Sequence, residues 1–164
     1  MLTGGACATL YSRGAYTSLD ADFILGGSPA RSDVDRAMAS VGFARRGDRY
    51  THPRVPYFVE FPRGPLGIGG DFAIKPVLKS RRGAKTLALS ATDSCRDRLA
   101  AFYHWPDRQS LSVAVAIARR RSVAFQKIRR WSALERRLDK YEEFLAEIRR
   151  SRRRGRGRDS SKRL

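Results

Sequence analysis

The chain has 164 residues, of which 41% are hydrophobic, so it can bury one substantial core but is short for two domains. Its 34 Lys and Arg residues outnumber 16 Asp and Glu residues, and the net charge of +18 favours a partner that is rich in phosphate groups. The sequence lacks the run of ~18 to 20 apolar residues of a membrane span and the features of a secretion signal, so we expect a cytoplasmic protein that does not contact a membrane.

The first half of the chain predicts an α/β fold. Acidic and apolar residues alternate at the start of residues 19–25, which predicts a strand that ends at a glycine pair. A serine cap and a glycine stop favour a short helix over residues 32–42. Two further strands are predicted at residues 50–52 and 55–61, the second being rich in Val, Tyr and Phe.

Loops and a basic turn occupy the middle of the chain. Residues 62–71 are rich in Gly and Pro and lack the Lys-Ser/Thr pair of a P-loop, so they predict an ordinary turn region. A basic turn is predicted at residues 79–83, before a short apolar run at residues 86–89. The cations of this turn could meet substrate phosphates, although a solvated basic turn is the simpler interpretation.

Helices are predicted for the rest of the chain. Thr92 can cap a helix that is interrupted by Pro106, and a second helix follows over about residues 108–120. Apolar residues then recur at three- and four-residue steps over residues 126–150. This period predicts one long amphipathic helix that packs on a domain formed by residues 1–125.

The last segment, residues 151–164, consists largely of Arg, Gly and Ser, and we expect a disordered basic tail because little of it can be buried. Residues 149–164 carry nine Lys or Arg and one Asp, a net +8, which leaves +10 on the remainder. The body is therefore basic without its tail. Nucleic acid or a nucleotide polyphosphate is the partner that this charge favours.

Three carboxylates are the candidate site. Alternate residues of a strand share a face, so Asp20 and Asp22 point to the same side. The same parity places Glu60 on one face of its own strand, and the three meet if the two strands pair. Such a cluster would repel itself unless a cation neutralised it, and Mg²⁺ prefers ligands that are all oxygen. Because Mg²⁺ also takes phosphate oxygens, we expect a nucleoside triphosphate as substrate.

A double glycine precedes these carboxylates. Glycine lacks the Cβ that would keep phosphate oxygens away from backbone N–H groups, so Gly4 and Gly5 can form a phosphate-binding turn. A simple turn without a ligand is the alternative interpretation. The two cysteines and two histidines stand alone in the sequence, outside disulfide-framework and zinc-site spacings, so we expect reduced thiols.

Together, Gly4-Gly5, Asp20-x-Asp22 between apolar residues, and Glu60 on a later strand resemble the minimal nucleotidyltransferases of the DNA polymerase beta superfamily. A second stretch, Asp97-Arg98-Leu99-Ala100-Ala101 followed by Asp107-Arg108, is similar to the helical motifs of nucleotidyltransferase toxins from abortive-infection type toxin-antitoxin systems. The resemblance covers about residues 1–115. Proteins of this family usually have a helix and the beginning of a strand before the double glycine, and three residues precede it here.

The resemblance implies a fold and a reaction. The fold would be a nucleotidyltransferase-type mixed sheet with flanking helices and a C-terminal helical part. Asp20 and Asp22 would be ligands of Mg²⁺, and Glu60 would be the third carboxylate, which joins the metal site and activates the attacking hydroxyl. The enzyme would move a nucleoside monophosphate from a nucleoside triphosphate to a hydroxyl acceptor, with RNA among the candidate acceptors.

The resemblance also implies nucleotide-binding residues. Gly4 and Gly5 would bind phosphate, Arg98 would face the triphosphate in place of the usual Lys, and Asp107 would help to position it. One alternative is a non-catalytic protein of the same fold that acts as a nucleic-acid-binding or toxin-antitoxin component. Another is a basic RNA-binding domain without a nucleotide pocket. The sequence indicates no particular base or oligomeric state.

Overall fold

The computed structural model describes the backbone of residues 1–105 and 107–160 and the side chains of residues 1–105 and 107–153. These residues form a mixed α/β structure, as predicted. Its helices and strands, in chain order, are α1 (Gly4–Ser12), β1 (Asp20–Asp22), α2 (Arg31–Ser40), β2 (Ala44–Arg46), β3 (Arg49–Thr51), β4 (Phe58–Glu60), β5 (Val77–Arg81), β6 (Ala84–Ala88), α3 (Ala91–His104), α4 (Arg108–Arg120), α5 (Phe125–Leu134) and α6 (Leu138–Ser160).

The strands form two small sheets. Four strands are ordered β1-β4-β3-β2, with β1 parallel to β4 and the other two pairs antiparallel. The hairpin β5-β6 is the second sheet. The first residues join the two sheets, because the Thr3 amide donates to the carbonyl of Asp22 (2.9 Å) and the Leu2 amide to that of Leu87 (2.7 Å).

The core lies among the helices and the N-terminal segment. Leu99 of α3, Ile117 of α4, Ile128 of α5 and Phe144 of α6 are fully buried in one hydrophobic cluster. By contrast, α2 contributes no buried residue. Both cysteines are free and buried in this core, and burial raises the pKa of the Cys7 thiol to about 11.

The prediction of one long helix over residues 126–150 is wrong, because two helices cover this part of the chain. The helix α5 ends at Leu134, and α6 begins at Leu138. Arg136 adopts a left-handed conformation between them, with φ 56°. Trp131 before the break and Phe144 after it are both buried, so the change of direction lets both apolar stripes reach the same core.

Two predicted helix caps are also corrected. The cap of α3 is Ser90, whose hydroxyl accepts the Asp93 amide at 3.0 Å, whereas the Thr92 hydroxyl accepts the amide of Ala124. The helix α2 begins at Arg31, so the predicted cap Ser32 lies inside it. In both places the predicted cap and the observed boundary differ by one or two residues, where local sequence signals are weakest.

The remaining differences concern the basic segments. The predicted basic turn at residues 79–83 consists of the last three residues of β5 and the two-residue hairpin turn that follows it. The helix α6 continues to Ser160, into the segment that the sequence predicts to be disordered. Residues 161–164 of that segment and the predicted helix breaker Pro106 lie outside the described residues.

Candidate active site

Two neighbouring strands bring the three predicted carboxylates to one face of the sheet. Asp20 and Asp22 are the first and last residues of β1, so their side chains share a face. The parallel register places Asp22 opposite Glu60 of β4 and Asp20 opposite Phe58. Residues that are opposite in register point to the same side, so Glu60 joins the two aspartates.

The surroundings of Asp22 disfavour the ionised form of its carboxyl group. Burial, followed by the negative charges of Asp20, Glu60 and Asp97, raises the pKa of its carboxyl group to about 6, and the positive charge of Arg98 opposes this rise. A carboxylate with a raised pKa carries its negative charge at a free-energy cost. The site therefore favours a cation that would neutralise the cluster.

The double glycine begins α1 instead of forming a separate turn. Gly4 has a φ of 59°, and a Cβ at this position would collide with Oδ2 of Asp22. A Cβ on Gly5 would collide with the Ser18 hydroxyl and lie 2.9 Å from that of Tyr16. The first N–H groups of a helix have no acceptor within it and form its positive end, so this close approach sets anion-binding groups beside the carboxylates.

Ser18 holds Asp20 in position, a role that the sequence does not predict. The Ser18 hydroxyl donates a hydrogen bond to Oδ1 of Asp20. The backbone amide of Ser18 donates to the Thr9 hydroxyl of α1 at 3.0 Å. The segment before β1 is thereby attached to the helix that begins at the double glycine.

The helix α3 adds an Asp97-Arg98 pair to the site. The Arg98 guanidinium donates to one oxygen of Asp97 from Nε (3.1 Å) and from Nη2 (2.7 Å), and about a fifth of each side chain is exposed. Both residues influence the pKa of Asp22. The sequence predicts Arg98 and misses Asp97 as a site residue, although Asp97 stands beside Arg98 in the same motif.

Asp107 has a structural role at the start of α4. Its carboxylate accepts the Ser110 amide (2.9 Å) and the Ser110 hydroxyl (2.6 Å), so it is the N-cap of the helix. These hydrogen bonds lower the pKa of Asp107. Burial lowers the pKa of Arg98, but the charge of Asp97 and, to a smaller extent, that of Asp107 raise it above its usual value. A contact between Asp107 and a nucleotide stays a prediction.

The carboxylates act on one another through their charges. Among the described residues, however, no group of three His, Cys, Asp or Glu side chains is already arranged to hold a metal ion. In the same part of the chain, no helix combines the length and the apolar character that crossing a bilayer requires.

The fold and the site define a mixed α/β protein with a carboxylate cluster next to a glycine-rich helix start. Comparison of the chain with protein-family models, curated proteins and solved structures finds no match. The site itself is therefore the basis for a proposal about function.

Proposed function

We propose that the chain is a Mg²⁺-dependent nucleotidyltransferase, which moves a nucleoside monophosphate from a nucleoside triphosphate to a hydroxyl acceptor. The observation that carries this proposal is the parallel register of β1 and β4, which aligns Asp22 with Glu60 on the face that also holds Asp20. The close approach of Gly4 to Asp22 supports it, because a phosphate-binding helix start then lies beside the carboxylates.

The donor chemistry of the cluster fits Mg²⁺. Asp20, Asp22 and Glu60 offer only carboxylate oxygens, and the raised pKa of Asp22 reflects negative charge that a cation would relieve. These three residues would hold the metal. When bound, Mg²⁺ supplies positive charge that neutralises the carboxylates and attracts phosphate oxygens.

The side chains would then have separate roles in the transfer. Glu60 accepts the proton of the attacking hydroxyl, whose oxygen forms a bond to the α-phosphorus while the bond to the pyrophosphate leaving group breaks. The first amides of α1, at Gly4 and Gly5, bind phosphate oxygens. Arg98 faces the triphosphate from α3, and Asp97 orients its guanidinium through two hydrogen bonds.

The charge of the body favours RNA as the acceptor, because +10 remains without residues 149–164. The alternative is a non-catalytic protein of this fold that binds nucleic acid, alone or in a toxin-antitoxin pair. Two observations favour the alternative. The described residues hold no preformed group of three metal ligands, and the guanidinium of Arg98 is engaged by Asp97.

The test is label transfer from α-phosphate-labelled nucleoside triphosphates to total tRNA in the presence of Mg²⁺. We compare the wild type with Asp22→Asn and with the matched control Asp33→Asn, which removes an exposed acid on α2. We expect Asp22→Asn to reduce transfer roughly 100-fold and the control to leave it unchanged. Transfer that survives in Asp22→Asn contradicts the assigned role. A folded wild type that transfers none of the four nucleotides supports the non-catalytic alternative.

A further inference from the structure

A basic cavity lies at the opposite end of α1 from the carboxylates. Its volume is about 690 Å³, and the end of α1, the hairpin β5-β6 and the residues after α4 line it. Four cationic side chains line this cavity: Arg13, Lys79, Arg81 and Arg121. We call it the basic pocket.

The cations of the basic pocket come from three separate parts of the chain. Arg13 is the C-cap of α1, and Arg121 is the C-cap of α4. Lys79 and Arg81 are alternate residues of β5, so their side chains share a face. Tertiary packing alone therefore brings these four positive charges to one cavity.

The positive charge of the basic pocket is not neutralised within the described residues. No carboxylate lines the cavity, and none of its four cations forms an ion pair in this part of the chain. Like charges that are gathered in one cavity repel, and a bound polyanion would relieve this repulsion. The hydroxyls of Ser80 and Ser122 add hydrogen-bond donors for an anion.

Aromatic packing holds two of the cations in place. The Nζ of Lys79 lies 4.8 Å from the ring centroid of Tyr11, and the Cζ of Arg121 lies 6.0 Å from it. Tyr11 is itself buried and donates a hydrogen bond to the Leu89 carbonyl at 2.7 Å. Arg121 also donates to the Leu10 carbonyl at 3.3 Å. Lys79 and Arg121 are thus partly ordered before a ligand binds, which lowers the entropy cost of binding.

We propose that the basic pocket binds consecutive phosphate groups of a single-stranded RNA backbone. Several separated cations suit a row of phosphates better than one isolated anion, and a cavity admits one strand more readily than a duplex. The nine residues of α1 separate this pocket from Gly4 by about 13 Å at the helical rise of 1.5 Å per residue. A strand that is bound here has its end within reach of the carboxylates. That last link rests on the proposed function, whereas binding to the pocket does not.

The test measures binding of a fluorescent single-stranded RNA to the full chain by anisotropy over a series of salt concentrations. The pocket variant is Arg13→Gln/Arg81→Gln, and the matched control is Arg129→Gln/Arg130→Gln, which removes two exposed charges from α5. We expect the pocket variant to bind about tenfold more weakly. The plot of log affinity against log salt should become less steep by about 1.4, because the variant loses two phosphate contacts and each contact on a single strand contributes about 0.7. The control should keep the wild-type affinity and slope.

Three outcomes would overturn the proposal. The first is unchanged binding in the pocket variant, and the second is an equal loss in both double variants, which would show an effect of net charge alone. The third outcome comes from a titration with inorganic tripolyphosphate. A pocket variant that loses tripolyphosphate binding but keeps RNA binding assigns the cavity to free polyphosphates. Thermal melting shows whether each variant is folded.

The same variants separate this proposal from the proposed function. Asp22→Asn should keep RNA binding while it loses label transfer. If Asp22→Asn retains transfer, the proposed function fails and the basic pocket stands. If the pocket variant retains full RNA affinity, the pocket fails and the transferase proposal stands.

Discussion

The backbone of Asp22 forms hydrogen bonds of the sheet, and its side chain belongs to the candidate site. Its carbonyl accepts the Thr3 amide, and its carboxylate lies beside Gly4 and shares a strand face with Asp20. Burial and three neighbouring acids raise the pKa of this carboxyl group to about 6. In the absence of a cation, the ionised form that a metal requires is therefore less favourable in the folded protein than in the unfolded chain.

Asp22→Asn should stabilise the metal-free protein at neutral pH. Because the pKa is higher in the folded than in the unfolded state, ionisation of Asp22 costs stability as pH rises from about 4 to 6, and the full cost persists above that range. Water reaches the half-buried carboxylate, so we expect a gain of about 1 kcal/mol at pH 7, below what the full shift would imply. Urea unfolding in EDTA at pH 4 and pH 7 measures the difference between the two proteins.

Mg²⁺ provides the companion measurement for this variant. The metal should raise the melting temperature of the wild type and leave that of Asp22→Asn nearly unchanged, because a ligand that binds only the folded state stabilises it. An equal response of the two proteins to Mg²⁺ would show that the metal binds elsewhere.

Single residues of the site differ in how well the sequence predicts them. The alternation of β1 is a local property, so the common face of Asp20 and Asp22 follows from spacing alone. Asp97 carries no such signal, because its position relative to Asp22 depends on how α3 and β1 each pack against α1. The cap made by Asp107 is local again, since it binds Ser110 three residues later.

The start of α1 depends on the absence of side chains at two positions. Gly4 has a positive φ and faces Asp22, while Gly5 faces Ser18 and Tyr16. By comparison, Gly47 in the turn between β2 and β3 also has a positive φ, of 63°, but nothing lies within 4 Å of the position of its missing Cβ. Gly4 and Gly47 therefore both adopt a positive φ, but of these two residues Gly4 alone lies close to another side chain.

Gly4→Ala and Gly47→Ala test the close approach of Gly4 to Asp22, because both substitutions introduce a Cβ at a residue with a similar positive φ. Each substitution places a Cβ on a left-handed residue, at a cost of roughly 1 to 2 kcal/mol of stability. Gly4→Ala should in addition abolish label transfer, because its Cβ displaces the Asp22 carboxylate. Gly47→Ala should keep the wild-type rate per folded molecule. Melting temperatures and transfer rates are compared, and equal activity in both variants would contradict the role given to Gly4.

Local periodicity predicts that elements exist and fails to predict where they are interrupted. The apolar period over residues 126–150 is continuous across the break between α5 and α6. The left-handed Arg136 belongs to a Schellman motif that ends α5, because its amide donates to the Ala133 carbonyl (3.0 Å) and the Arg137 amide to the Ser132 carbonyl (2.8 Å). The left-handed position of such a motif is usually a glycine, and Arg136 stands there instead, so the sequence lacks the usual signal for this helix end.

A buried ion network joins distant parts of the whole molecule. Arg96 of α3 is 1% exposed and pairs with Asp71 (2.6 Å), in the loop between β4 and β5, and with Asp93 (2.8 Å). Lys127 of α5 also pairs with Asp93 at 2.8 Å, and the guanidinium of Arg96 lies 5.1 Å from the Trp131 ring centroid. The contacts of Arg96 therefore join the loop between β4 and β5 to α3 and α5.

Arg96→Met should be among the most destabilising substitutions in this protein. It removes the guanidinium and leaves the carboxylate of Asp93 buried with one partner fewer, for which we expect a loss of roughly 3 to 5 kcal/mol. The matched control Arg129→Met removes an exposed guanidinium from α5 and should change stability by less than about 0.5 kcal/mol. Denaturant unfolding measures both, and a loss below about 1 kcal/mol for Arg96→Met would show that the network contributes little net stability.

The sequence by itself determined the mixed α/β character, most of the helices, the common face of Asp20 and Asp22, and the basic charge of the body. These properties depend on residues that are near one another in the chain or on composition. Tertiary structure alone decided the approach of Asp97 to Asp22, the closeness of Gly4 to that carboxylate, the Arg96 network and the basic pocket. Each of these joins residues from segments distant in sequence, and packing brings them together without leaving a periodic or spacing signal in the chain.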